Sequence, residues 1–311
     1  MTKTNRKSKK TGDGLSGASN VFVVLLLKAM ARLPFGALYL LADGIYFVLK
    51  YIVQYRNAVI LENLKAAFPD KRDEEIVELQ NRFYRHLSDV FLESAKLHYM
   101  KEKEIQKRVR FIGVEEMNRY AEEGKGVIVL ACHHNNWEWG SYLQTQSKHH
   151  ILMVYNKMRN NPPMDDFLLL SREKWGGQAV QMGRAAKAAF DAAKKSKPSL
   201  LWLVADQRAL PELGSWALFL NREGAFYTGP EKIARKTNQP VFFQKVKKVA
   251  RGKYEYEFTL MVEEPVKAAP NEILLTYIRK MEEAIYEAPE YYLWSHRRWK
   301  HQRPATAPLI Q

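Results

Sequence analysis

The stretch ACHHNNWEWG, residues 131–140, follows the apolar run GVIVL and sets two histidines, two asparagines and a glutamate beside two tryptophans. His133 and Glu138 stand in the spacing H-x4-E. In open α/β sheets, ligands collect where strands end and helices begin. With GVIVLA as a strand and NNWEWGSYL as the start of a helix, His133 falls at such an edge. Glu138 then lies about one helical turn further on and is expected to curl back to the imidazole. A carboxylate bonded to one ring nitrogen fixes the tautomer and raises the basicity of the other. That is a general base for a hydroxyl or amine nucleophile, typically worth about 10²–10⁴-fold in rate. Backbone N–H groups at the helix start are expected to stabilise an oxyanion. The plainer alternative is a histidine serving the loop or capping the helix.

Two other chemistries fit less well. Cys132 invites a thiol nucleophile, but it directly precedes His133 on a strand and points to the opposite face. Zinc needs H-E-x-x-H or clustered Cys/His spacing, which this region lacks. No metal and no cofactor is expected.

The chain of 311 residues, 46% hydrophobic and 27% charged, suits one large domain, or one domain with a helical extension. Its formal net charge of +15 implies an anionic partner: nucleic acid, a phospholipid surface or an acidic carrier protein. One cysteine excludes an intramolecular disulfide framework and fits a reducing compartment. No RRM, KH or helix-turn-helix signature is present, so nucleic acid is not the expected partner.

Residues 1–18 read as a disordered basic tail, with five Lys/Arg in the first twelve. Residues 19–56 are the most apolar part of the chain, interrupted by Lys28, Arg32 and Asp43. A spanning helix needs about 20 mainly apolar residues. This segment is expected to be an uncleaved membrane anchor, either one span or helices lying in the interface; the alternative is a buried helical hairpin. The basic tail favours a cytoplasmic N-terminus. Residues 57–110 read as helices, the first stopping at Pro69. From 111 onward strands alternate with helices, which argues an α/β fold with a mixed, largely parallel central sheet flanked by helices. VFFQKVKKVARGKYEYEFTLMV reads as an antiparallel hairpin around Arg251-Gly252. The segments 57–304 form one domain, followed by a tail over 305–311.

CHHNNWEWG resembles the H-x4-D/E motif of glycerolipid and lysophospholipid acyltransferases, in the form used by the late acyltransferases of lipid A biosynthesis. Further segments follow in that family's order: YRNAVILENLKAAFPD, YNKMRNNPPMDDFLLLSREKWGG, LWLVADQRA, FLNREGAFYTGPEKIARKTNQPVFF and WSHRRWKHQRP. Together they cover roughly residues 20–304. The resemblance implies a glycerolipid acyltransferase-like fold and an enzyme of the inner (cytoplasmic) membrane with its catalytic domain on the cytoplasmic face. The implied reaction moves a fatty acyl chain from a thioester of acyl carrier protein or coenzyme A to a hydroxyl of an anionic lipid acceptor, a lipid A precursor. An aminolipid or lysophospholipid acceptor is the alternative.

Carried over residue by residue, the resemblance makes His133 the base and Glu138 its orienting partner. Asp206, at the end of LWLVAD, competes for that role, since in some relatives the acid comes from this strand. Arg172 becomes a candidate for acceptor phosphate or carrier phosphopantetheine, and Gln207, Thr228 and Gly229 shape the cleft. Without the family, Asp206 is a strand-end cap, Arg172 a solvated helix charge, and the other three plain turn residues. His134 stands where many members have another residue, but only His133 keeps the x4 spacing to Glu138. His296, Arg297 and Arg298 read as a solvated basic ending by composition, and as structural or surface residues by resemblance. Trp137, Trp139 and Trp202 line an acyl channel or belong to the core.

Overall fold

The computed structural model describes residues 12–311 except residue 196. Most of the basic tail, residues 1–11, lies outside the described residues. Helix α1 (Gly12–Met30) begins inside the stretch read as tail, and a short turn leads to α2 (Phe35–Phe47), prolonged by a π-helical turn over Val48–Ile52. Phe35–Ile52, 18 residues with mean hydropathy 1.4, is long and apolar enough to cross a membrane by length and composition. Neither helix stands free. Val24, Leu27 and Ala31 are buried, as are Leu38 and Ala42, so each helix covers one stripe and exposes the other.

Two further helices follow. Helix α3 (Asn57–Ala67) stops before Pro69, as its sequence predicts. In α4 (Asp73–Leu97) three acids occupy the first turn, where the dipole favours them, and Glu75 accepts from the Arg72 backbone N–H at 3.1 Å and from its Nε at 3.2 Å. The short α5 (Glu102–Ile105) leads into the sheet.

Seven strands form that sheet: β1 (Val109–Ile112), β2 (Val127–Ala131), β3 (His150–Tyr155), β4 (Gln178–Gln181), β5 (Ser199–Val204), β8 (Val241–Ala250) and β9 (Lys253–Val262). Their spatial order is β1-β9-β8-β2-β5-β3-β4. Every pairing is parallel except β8 with β9, the hairpin expected around Arg251-Gly252. Helices α6 (Val114–Glu122), α7 (Pro162–Glu173), α8 (Ala185–Lys194), α9 (Gly229–Thr237) and α10 (Glu272–Glu287) complete the α/β fold. Strands covered on both faces are apolar throughout; VIVLA of β2 is buried at every position. Alternation divides its side chains between two cores. Ile128, Leu130 and Cys132 pack with α3, α4 and α10, while Val127, Val129 and Ala131 pack beneath Trp139 and Trp202.

A second sheet escaped the sequence reading. Strands β6 (Gly214–Phe219) and β7 (Arg222–Tyr227) form a hairpin whose two turn residues, Leu220 and Asn221, have φ of 50° and 64°. That is the turn geometry in which Asn-Gly is the usual signal, and a leucine at its first position hides it. Strand β10 (Leu309–Ile310) pairs parallel with β6, so the last residues are tied to the fold rather than trailing from it.

Candidate active site

Strand register makes the site. Ala131 of β2 is paired with Val204 of β5, and the Ala205 amide donates to the Ala131 carbonyl at 3.1 Å. Two residues past each partner stand His133 and Asp206, side by side at the carboxyl ends of adjacent parallel strands. His133 Nδ1 lies 2.7 Å from Asp206 Oδ1. Burial raises the Asp206 pKa, but the His133 imidazole and its hydrogen bond outweigh that and hold the carboxyl below its ordinary value. Asp206 is 2% exposed. It lies behind the ring, while His133 lines the cavity in front.

Glu138 does not curl back to His133. It forms a two-pronged ion pair with Arg172 of α7, Nε to Oε2 at 2.9 Å and Nη2 to Oε1 at 2.5 Å, and accepts from Trp137 Nε1 at 3.2 Å. Burial opposes its ionisation, yet the Arg172 charge wins and lowers the carboxyl pKa. The Arg172 guanidinium is raised in turn, against burial, by Glu138. The carboxylate paired with His133 is therefore Asp206, and Arg172 is no solvated helix charge.

The expected helix after His133 is absent over its first residues. Asn135 has φ of 60°, a left-handed conformation that asparagine tolerates, and a 3-10 helix starts only at Glu138. The His134 amide donates to the Cys132 carbonyl, Asn135 to Tyr291, Trp139 to Asn136 Oδ1, and Gly140 to Trp137. These amides are already engaged, three within the loop and Asn135 with Tyr291, so the helix-start oxyanion site read from the sequence loses these donors.

The remaining polar residues of HHNN lock this loop. His134 is buried, with Nε2 bonded to the Ala288 carbonyl at 2.9 Å, and burial lowers its pKa to about 4. Asn135 Nδ2 donates to Val246 at 2.7 Å, and Asn136 Nδ2 to Glu93 Oε2 at 2.8 Å. Cys132 is buried on the opposite face from His133, where desolvation drives its thiol pKa up; a thiolate nucleophile is disfavoured.

The cavity in front of His133 measures about 1030 Å³. Its walls are mostly apolar: Met153, Leu168, Met182, Phe190, Trp202 and Ile233 among them. Cations Lys232, Arg235 and Lys236 of α9 join the lining on one side, and Arg172 on another. Gln207 belongs to the wall, its amide nitrogen 3.4 Å from His133 Nε2. Gly229 also lines it, whereas Thr228 takes the cap position of α9 and is not part of the wall. Trp137 and Trp202 face the cavity; Trp139 is core, with Nε1 bonded to the Glu93 carbonyl at 2.9 Å.

Part of the basic ending is drawn out of solvent. Leu293 donates its amide to the His133 carbonyl at 3.1 Å, drawing SHRRW under the site. Arg298 is 2% exposed, its guanidinium 4.1 Å from the Phe226 ring centre. Arg297 is exposed and lends its carbonyl to Arg208 at 2.8 Å. His296 is half-buried, and burial lowers its pKa to about 4.

One residue near the site was missed entirely. Glu93 of α4 is 0% exposed and accepts from Tyr254 at 2.7 Å, Asn136 at 2.8 Å and Tyr39 at 2.9 Å. It sits on the buried stripe His86, Val90, Glu93, Leu97, where a carboxylate among apolar positions was the signal to follow.

Comparison with known proteins identifies the family. The family model described as "Bacterial lipid A biosynthesis acyltransferase" matches residues 7–301. The chain is 22% identical over 293 residues, 91% of both chains, to a lipid A biosynthesis lauroyltransferase of Escherichia coli K12. It is 22% identical over 272 residues to a lipid A biosynthesis palmitoleoyltransferase of the same organism, covering 86% of this chain and 87% of the other. A lipid A biosynthesis acyltransferase of Haemophilus influenzae is 23% identical over 236 residues, 75% of this chain and 72% of that one. With a match spanning nearly its whole length, this chain belongs to the bacterial lipid A biosynthesis acyltransferase family and is an acyltransferase.

Proposed function

We propose that the protein transfers a fatty acyl chain from a thioester of acyl carrier protein or coenzyme A to a hydroxyl of a lipid A precursor, working at the cytoplasmic face of the inner membrane. The observation that carries the catalytic part is the 2.7 Å contact between His133 Nδ1 and Asp206, with His133 on the wall of a largely apolar cavity. With Nδ1–H donated to Asp206, Nε2 is left as the base facing the cavity. The acceptor hydroxyl loses its proton to Nε2 as its oxygen attacks the thioester carbonyl carbon. The tetrahedral intermediate then collapses with loss of the C–S bond. The imidazolium returns the proton to the departing sulfur, so the base is regenerated.

The apolar wall suits the acyl chain, and a volume of about 1030 Å³ is ample for one. The bidentate Glu138–Arg172 pair fixes the wall beside the base, with Arg172 the candidate contact for an acceptor phosphate or the carrier phosphopantetheine. Lys232 and Lys236 add positive charge at the α9 side, where anionic headgroups or carrier would meet the protein. The Gln207 amide stands where the acceptor hydroxyl must approach Nε2. Membrane association is supported by the exposed apolar faces of α1 and α2 and by the net charge of +15.

The test is direct. Purified protein is incubated with acyl carrier protein thioesters or acyl-coenzyme A and with lipid A precursors, and products are read by mass. Acylated lipid A precursor is expected. Acyl transfer only to aminolipid or lysophospholipid acceptors would replace this acceptor, and none at all would refute the reading.

A further inference from the structure

Among the described residues, the side chain in hydrogen-bond contact with His133 Nε2 is the Gln207 amide, at 3.4 Å. With Nδ1–H given to Asp206, Nε2 carries a lone pair, so the carboxamide must turn an N–H towards it and its oxygen away. N–H donors usually sit about 2.9–3.0 Å from an oxygen acceptor, so this contact is loose. The amide is held beside the base without being spent on it. Its backbone is fixed on both sides. Before it, the Ala205 amide donates to the Ala131 carbonyl at 3.1 Å. After it, Arg208 Nη1 donates to the Arg297 carbonyl at 2.8 Å, and the Ala209 amide to the Ala225 carbonyl at 3.1 Å. Two consecutive residues thus serve one imidazole: Asp206, buried, at Nδ1, and Gln207, on the cavity wall, at Nε2.

Acyl transfer creates a need for such a donor. As the acceptor oxygen bonds to the thioester carbon, the hydroxyl proton passes to Nε2 and the carbonyl π electrons move onto the carbonyl oxygen. That oxygen becomes an anion inside a largely apolar cavity, where an unmet charge is costly. The donors next to His133 in the chain are taken. The amides of His134, Asn135, Trp139 and Gly140 are engaged, Trp137 Nε1 donates to Glu138 at 3.2 Å, and the Arg172 fork closes on the same carboxylate. Gln207 is also at the right distance. The acceptor oxygen must lie about 2.6–3.2 Å from the base that takes its proton. The oxyanion shares a tetrahedral carbon with that oxygen and so lies closer to it than a hydrogen-bond length. A donor to the oxyanion stands about 2.7–3.1 Å from it. A circuit from Nε2 through the two oxygens to the Gln207 nitrogen closes with the observed 3.4 Å as its last edge.

We propose that Gln207 is a catalytic residue whose carboxamide N–H leaves the base as the acceptor hydroxyl arrives and donates to the oxyanion of the tetrahedral intermediate. The inference rests on the acyl transfer proposed above, with His133 as its base. On collapse, the electrons on the oxyanion re-form the carbonyl, the C–S bond breaks, and the departing sulfur takes the proton from the imidazolium. The Gln207 contact is strongest while the charge stands on oxygen and weakens once the ester forms, so it acts on the rate and little on binding.

The experiment compares Gln207→Ala and Gln207→Glu with the unsubstituted full chain, melting temperatures recorded for all three. Each is assayed with the acyl thioester that supports transfer, on acyl carrier protein or coenzyme A, and with the dithioester on the same carrier, in which sulfur, a weak hydrogen-bond acceptor, replaces the carbonyl oxygen. With the thioester, Q207A should lose about 10²–10³-fold in kcat at nearly unchanged KM. Q207E should be slower still, since its carboxylate offers no N–H and repels the oxyanion. With the dithioester, the ratio between the unsubstituted enzyme and Q207A should shrink, an outcome that a merely structural loss would not give. Full kcat in folded Q207A, or an equal ratio with both donors, overturns the proposal. Retained activity in Q207E overturns it too, because a group that accepts from the acceptor hydroxyl would then suffice. Each of these results leaves acyl transfer by the unsubstituted enzyme standing; no transfer by that enzyme defeats the proposed reaction and this proposal with it.

Discussion

His133 and Asp206 lie 73 residues apart in sequence and 2.7 Å apart in space, because β2 and β5 are adjacent, parallel and in register at Ala131 and Val204. The first expectation concerns this pair. Asp206→Asn preserves size but turns the acceptor of Nδ1–H into a group that also presents a donor, so the tautomer with Nε2 as base is no longer favoured. Acyl transfer should fall by about 10²-fold or more in kcat while binding of the thioester changes little. Steady-state kinetics on the purified variant checks the split. Unchanged kcat would remove Asp206 from the mechanism.

Glu138 and Arg172 should behave as one unit. Removing either partner leaves a buried charge uncompensated, a loss of about 3–5 kcal/mol for a fully buried pair and less here, where the Arg172 side chain keeps 23% of its exposure. Removing both should cost less than the sum of the two single losses. Denaturant unfolding of Glu138→Gln, Arg172→Gln and the double variant closes the cycle; additive losses would mean that the pair is not coupled.

The legibility of this site in sequence was uneven for physical reasons. His133 was readable because GVIVL is a fully buried parallel strand and its polar exit is local. The partner was legible only through the family resemblance, which left Asp206 and Glu138 competing for the role. An x4 spacing describes neighbours along one chain segment, whereas Asp206 is brought in by strand order, which no local pattern contains. Charge runs misled for a related reason. Arg298 sits in a basic ending that composition reads as solvated, yet the Leu293 amide bond to His133 pulls the segment beneath the site and buries it. Asp43 reads as a flaw in an apolar segment, while in space it is the point where α2 meets Arg251.

Acidity should weaken the fold through its buried histidines. His134 titrates at about 4 in the folded protein because burial disfavours the imidazolium, against about 6.5 for an unfolded histidine. The unfolded state then binds more protons between those values. Stability is complete above about pH 6.5 and is lost as pH falls towards 4, by up to about 1.4 kcal/mol per pH unit for this residue. His149 and His296, each lowered to about 4 by burial, act in the same direction. Melting temperatures over this range should show a shallower slope for His134→Gln than for the unsubstituted protein; identical slopes would contradict the assignment.

Gly140 should control the shape of the cavity. A Cβ there would come within 2.3 Å of the Trp202 ring, which forms part of the wall. Gly140→Ala must displace that ring, at a cost of about 1–3 kcal/mol typical of overpacking. The preferred acyl chain is expected to shift in length relative to the unsubstituted enzyme. Competition assays with a series of acyl thioesters measure this, and an unaltered profile in a folded variant would separate Trp202 from acyl recognition.

Acyl transfer depends most on the imidazole at position 133, and one comparison tests that role without intermediaries. His133→Ala and the unsubstituted enzyme are assayed side by side for acyl transfer, with melting temperature recorded for both. A fall of at least about 10²-fold in rate with the fold retained is predicted. Transfer at the full rate by the folded alanine variant would contradict the mechanism.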